Sequence, residues 1–273
     1  MKKKIITILI MTILSLSLFA CGGNSESTKS QEKEYVTEDE IKDIFSSPDK
    51  YEGKYVKLSG KVFTEPEKDG EDYALQAWND FKNAENDFVV HYTKNNDVKI
   101  DDYILVDGKI AGEFKGENAF GSTVTCPLIQ AESIESQSYI DAVVPTIKEL
   151  TPNISNEQHG FKVTVDKVEY ADIETRVYLT ITNNGEDNVS CGIYDIRIIQ
   201  DGKQIDQDQT SSSIYDGGYE ELSYDVTAGA STSGVIVFPS IDQEKDFKII
   251  VPDTYSDNYE LEFDDFSFDI STN

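Results

Sequence analysis

The sequence predicts an all-β chain built from two small domains. Three observations lead there. Apolar and polar residues alternate over many short runs, the period of a half-buried strand. Gly, Asn, Asp and Pro separate those runs as turn signals. The length of 273 residues suits about two average domains. The hydrophobic fraction of 38% is low for a globular chain, but 15 Tyr and 13 Phe supply bulky core material.

Charge narrows the function. Asp and Glu number 52 against 24 Lys and Arg, a formal net charge of -28. Nucleic-acid binding is excluded as an expectation, because it needs basic surface to displace phosphate counterions. One long apolar run exists, which excludes a chain of many membrane spans.

That run is at the N-terminus. Lys2, Lys3 and Lys4 precede the apolar stretch Ile5 to Leu18, which has the length and flank of a secretory signal. It ends in Leu18-Phe19-Ala20-Cys21, which resembles a bacterial lipobox, although Phe19 is bulkier than usual there. The resemblance implies cleavage after Ala20 and a diacylglycerol group on the Cys21 thiol, with palmitate-type acyl chains as the membrane anchor. An ordinary signal peptide cut after Ala20 is the alternative. Several acyl chains give stable anchoring, since each buried methylene contributes about 0.8 kcal/mol. The expectation is a signal peptide over 1–20 and a lipid-anchored protein on the outer, extracytoplasmic face of the cell membrane. Cleavage removes three Lys and no acid, so the anchored body is more acidic still. Anionic headgroups repel such a body. Residues 21–36, beginning GGNSESTKSQEK after Cys21, read as a flexible tether.

The first domain is expected over 37–139. Thr37 with Glu40 forms a capping box before Ile41, Ile44 and Phe45 at helical spacing. Strands follow over Tyr55–Phe63, Tyr73–Trp78, Asp87–Thr93, Asp101–Ile110 and Ser122–Ile134, with Gly60 and Gly108 inside two of them. Mid-strand glycines mark bends in curled sheets. Five short strands with turn signals predict a small closed barrel.

The run Lys50-Tyr51-Glu52-Gly53-Lys54-Tyr55-Val56-Lys57-Leu58-Ser59-Gly60-Lys61-Val62 and the later Asp101 to Ile110 resemble an OB-fold domain of bacterial lipoproteins, over about 38–136. The resemblance implies an OB-like β-barrel, whose second and third strands and nearby loops are its usual binding face. Those strands carry Tyr73, Trp78, Phe81, Phe88, His91 and Tyr92. Trp78 could stack on a sugar or a peptide; capping the barrel core is the competing role.

Residues 140–157, with Pro145, Pro152 and several Ser and Asn, read as a linker. A second domain is expected over 158–273. Phe161, Val163 and Val165 alternate, as do Val177, Leu179 and Ile181, and Asp201-Gly202 reads as a hairpin turn. At least seven short strands suit a β-sandwich. The runs Gly160 to Tyr170, Val177 to Asn183 and Val226 to Phe238 resemble the immunoglobulin-like, telokin-like domain of Gram-positive secreted proteins. The resemblance implies an immunoglobulin-like β-sandwich and no reaction.

Chemistry is sparse. The two His, His91 and His159, have no nucleophile pattern beside them, and no phosphate-loop or metalloprotease motif occurs. No catalytic residue is assigned. Asp201, Asp206 and Asp208 are weak candidates for Ca²⁺, though their spacing is not that of an EF-hand and a solvated hairpin explains them as well. Tyr215, Tyr219 and Tyr224 lie in a Ser- and Gly-rich stretch from Asp206 to Ala230, read as a long loop offering an adaptable contact surface or covering the sandwich edge. Cys126 and Cys191 read as small buried thiols, with a bridge open in an oxidising compartment.

The resulting expectation is a non-enzymatic, lipid-anchored binding module for a protein or an envelope glycan. The alternatives are a solute-capturing or envelope-sensing subunit of a membrane complex, and a hydrolase of envelope polymers, which would need a carboxylate pair at defined separation.

Overall fold

A computed structural model describes residues 32–93, 97–117 and 123–272. The expectations for residues 1–20 and most of the tether, Cys21 included, lie outside the described residues. The chain is mostly β and divides into two compact units, the first ending at Gln137 and the second beginning at Ser138.

In the first unit, α1 (Glu38–Ser46) opens as its capping signal predicts, with the Thr37 backbone N–H donating to the Glu40 carboxylate at 2.9 Å. A 3₁₀ turn over Pro48–Tyr51 follows. Six strands come next: β1 (Tyr55–Val62), β2 (Glu67–Asp69), β3 (Asp72–Asp80), β4 (Glu85–Tyr92), β5 (Tyr103–Glu117) and β6 (Thr123–Gln137). They run in the order β1-β5-β6-β4-β3-β2, and β1 also pairs with β3, so the sheet closes on itself. The β4–β6 pairing is parallel and the others are antiparallel. Val56, Leu58 and Val62 of β1 point inward beside Leu75, Phe88, Val90, Ile104 and Ile129, and Ile44 of α1 joins that core.

Closure explains the two mid-strand glycines. A Cβ on Gly60 would stand 2.5 Å from Phe88 Cζ, and one on Gly108 would stand 2.6 Å from the Gln130 carbonyl oxygen. The β5–β6 register also shifts between Asp107 and Gly108, the irregularity a curled strand needs.

The second unit begins with α2 (Tyr139–Val143), β7 (Lys148–Leu150) and β8 (Ile154–Gln158). This corrects the expected linker over 140–157. Both strands pair antiparallel with β9 (Phe161–Tyr170), so hydrogen bonding draws the segment into the sheet despite its Pro, Ser and Asn. The rest comprises β10 (Glu174–Asn183), β11 (Val189–Ser190), β12 (Arg197–Gln200), β13 (Lys203–Asp206), α3 (Ser212–Asp216), β14 (Asp225–Val226), β15 (Ser231–Pro239), β16 (Phe247–Val251), β17 (Tyr255–Ser256) and β18 (Phe266–Ile270). The stretch read as one loop from Asp206 to Ala230 therefore holds α3 and β14.

These strands form a sheet β15-β10-β9-β7 with β8 also on β9, a sheet β13-β12-β16-β18, and a small sheet β14-β11-β17. The alternating residues Phe161, Val163, Val165, Leu179 and Ile181 of the first share one core with Ile198, Ile249, Phe266 and Phe268 of the second. Asp201 and Gly202 have φ of 52° and 73°, the paired positive values of a two-residue hairpin between β12 and β13.

Candidate binding surfaces

The first surface follows from strand parity. Where Val62, Ala77 and Ile104 face the barrel core, their neighbours must face out. Register aligns four of these in one row across β5, β1, β3 and β4: Tyr103 opposite Lys61, Lys61 opposite Trp78, and Trp78 opposite Asp87. Trp78 is half-buried on this outer face and takes no part in the barrel core, so it does not cap that core. Phe63 stacks on it with centroids 4.3 Å apart and planes at 14°. Phe81 meets Tyr103 edge-on at 5.6 Å. The Lys61 ammonium lies over the Tyr103 ring at 5.3 Å and pairs with Asp101 at 3.7 Å.

Polar groups border these rings. Burial raises the pKa of Asp87, and a hydrogen bond from Trp78 opposes the rise. The Asn79 amide donates to the Ser59 carbonyl at 2.9 Å. The Asp80 carboxylate accepts from the Asn83 amide and from the Lys82 and Asn83 backbones, which holds its pKa low and fixes the turn after β3. The surface is thus an aromatic strip with carboxylates at its margin.

The other aromatics singled out on these strands have different duties. Phe88 is wholly buried and Tyr92 nearly so. Tyr73 stacks on Tyr92 at 5.3 Å. Burial lowers the pKa of half-buried His91, with Asp72 opposing. Sequence reasoning missed Phe63 and Tyr103. Their signal was parity: each neighbours an inward residue, Val62 and Ile104.

The three tyrosines of the second unit do not form one site. Tyr215 is 75% exposed on α3. Tyr219 turns against Tyr178, ring edge to face at 5.9 Å. That pair, with Lys167, Gly218 and Gly234, lines a cavity of about 350 Å³. Tyr224 instead hydrogen-bonds through its hydroxyl to that of Tyr255.

Behind the cavity is a charge network that sequence reasoning also missed. Arg176 is fully buried. It donates to Glu169 at 3.0 Å, to Glu174 at 2.8 Å, to the Val144 carbonyl at 3.0 Å and to Thr146 Oγ1 at 2.6 Å. Burial alone would raise the pKa of Glu169, but hydrogen bonds from Lys167, Tyr178 and Arg176 outweigh it and hold it low. The network holds 144–146 to β10. The available signal was composition, since Arg176 and Arg197 are the only arginines.

The three Ca²⁺ candidates each have a different partner. Asp201 pairs with Lys245 at 2.8 Å, Asp206 accepts from the Gln204 amide at 2.7 Å, and Asp208 accepts from Thr210 Oγ1 at 2.7 Å. Asp206 and Asp208 accept from residues two positions away, whereas Asp201 reaches Lys245 in a distant segment. Among the described residues no group of three or more His, Cys, Asp or Glu is arranged to hold a metal ion. Cys126 and Cys191 are both free and buried, one in each unit. Burial pushes their thiols up to about 12 and about 11. Among the described residues no helix is long and apolar enough to cross a membrane.

No protein-family model matches the chain. No curated protein matches it either. Among solved structures, it is similar to a functionally unknown protein from Listeria monocytogenes EGD-e, with 13% identity and a TM-score of 0.38, over 48% of this chain and 88% of that one.

Proposed function

We propose that this chain is a non-enzymatic lipoprotein of the cell surface that binds an envelope glycan on the outer face of its first domain. The observation that carries the reading is the strip of Phe63, Trp78, Phe81 and Tyr103, four aromatic residues kept out of the core on β3, on β5 and just past the ends of β1 and β3. A pyranose ring has an apolar face that stacks on an aromatic ring, and hydroxyls that donate to carboxylates such as Asp87. The surrounding acidity disfavours a phosphate polymer.

The strand order supports an OB-type barrel. With β2 counted as part of the connection between β1 and β3, the closed order is β1-β3-β4-β6-β5, with β4 and β6 parallel. In such barrels the second and third strands form the binding face, here the hairpin of β3 and β4 that bears Trp78. The facing sheets of the second domain support an immunoglobulin-like sandwich. The lipobox-like Leu18-Phe19-Ala20-Cys21 supports attachment through Cys21 to the outer face of the membrane.

Calorimetric titration with envelope glycan fragments tests the binding. Heat that Trp78→Ala reduces by tenfold or more in affinity, about 1.4 kcal/mol, supports the reading. Undiminished affinity in that variant contradicts it. Cys21→Ser is expected to move the protein from the membrane fraction to the soluble fraction.

A further inference from the structure

The small sheet β14-β11-β17 packs Val226, Val189 and Ser256 inward, each buried. The alternate row, Asp225, Ser190 and Tyr255 in register across the three strands, faces out. Tyr224, just before β14, brings its hydroxyl to Tyr255, with ring centroids 6.4 Å apart and planes at 64°. Tyr255 remains 51% exposed and Tyr224 36%, so two rings stand side by side on an open sheet face. Asp225 accepts a hydrogen bond from Ser190 Oγ, which fixes the carboxylate beside them.

The charge around this pair names its occupant. The segments 177–196, 204–244 and 249–273, which supply all three strands and their flanks, contain no Lys and no Arg. In the first domain Lys57 lies over the exposed Tyr35 ring at 6.0 Å and Lys33 over the half-buried Tyr55 ring at 4.9 Å. The Tyr224–Tyr255 face offers the same ring quadrupoles and carboxylate with no cation from its own segments.

We propose that the Tyr224–Tyr255 face of the second domain docks a Lys- or Arg-bearing segment of a partner protein. A partner ammonium or guanidinium lies against the ring faces, where cation–π attraction acts, and pairs with Asp225. Tyr is suited to such a role because it gives large contact area at little cost in side-chain entropy. The site is separate from the barrel face and independent of what that face binds.

The test is calorimetric titration of the full-length chain in nonionic detergent with tetralysine and tetra-arginine peptides, at low and at physiological ionic strength. Any acidic protein attracts such peptides weakly through its general field, so single-charge comparisons decide. Tyr255→Ala and Asp225→Asn are each expected to weaken binding by about tenfold. Asp264→Asn removes an equal charge from an exposed position outside the sheet and is expected to change affinity less than twofold. Tyr255→Phe keeps the ring and is expected to retain most of the affinity, which separates loss of the ring from misfolding. Equal weakening by Asp264→Asn and Asp225→Asn, or unchanged affinity in Tyr255→Ala, overturns the proposal.

Discussion

The rings of Phe63 and Trp78 lie nearly parallel, 4.3 Å between centroids, on the outside of the barrel. Phe63 follows the last residue of β1 and Trp78 lies in β3, so their stack spans the strand pairing that closes the sheet. It stiffens the strip on which the proposed ligand rests.

Removing Phe63 should therefore affect both the stability and the surface. Phe63→Ala is expected to destabilise the first domain by about 1–2 kcal/mol, the worth of an aromatic pair with its partial burial. Emission from Trp78, the single tryptophan, should shift to the red as its shielded face meets water. Denaturant melts and emission spectra check both.

The buried Arg176 network predicts a larger loss. Arg176→Ala strips two buried carboxylates of their partner, and breaking a buried pair in this way costs about 3–5 kcal/mol. Replacing Glu169, Glu174 and Arg176 together by Gln, Gln and Met should recover much of that loss. Denaturant melts of the single and triple variants decide.

The same network sets a pH dependence. Glu169 has a lowered folded pKa, so it adds stability above the unfolded value of about 4.3. That contribution disappears as pH falls through the depressed folded value. Glu169→Gln should flatten this acid limb in melts run from neutral pH downward.

Both thiols should be silent in the native protein. With burial holding Cys126 at about 12 and Cys191 at about 11, thiolate is scarce at pH 8 and a disulfide reagent should react only on unfolding. The sign at high pH is opposite to that of Glu169. Their raised folded values add stability fully present below about pH 8.5, and it declines as pH climbs through 11 to 12. Native and urea-treated thiol counts, with melts at alkaline pH, test this.

Gly60 and Gly108 should tolerate methyl groups unequally. An added Cβ at Gly60 meets side-chain atoms of Phe88 and Ala77, whereas one at Gly108 meets the backbone of Gln130 and Ala131, which has less freedom to shift. Overpacking costs about 1–3 kcal/mol, and Gly108→Ala should fall at or beyond the upper end. Comparative melting of the two Ala variants checks the order.

How much of this was legible depends on the range of the interaction. The capping box at Thr37 and Glu40, the alternation in β9 and β10, and the Asp201-Gly202 turn are local signals, and each produced its element. The linker expected over 140–157 failed because pairing of β8 with β9 and the grip of Arg176 on Val144 and Thr146 are tertiary. Tyr215, Tyr219 and Tyr224 looked like one patch because they are close in sequence, yet α3 and the turn after it send them to three environments. Trp78 could be named from its strand, but Phe63 and Tyr103 joined it only through register across β1 and β5.

The most direct measurement is the emission of Trp78 during titration with envelope glycan fragments. No other residue contributes tryptophan signal, so the readout comes from the proposed surface itself. The account predicts a saturable change in intensity or wavelength, weakened when Asp87 is replaced by Ala. Glycan binding that proceeds to saturation by calorimetry with no change in Trp78 emission would contradict it.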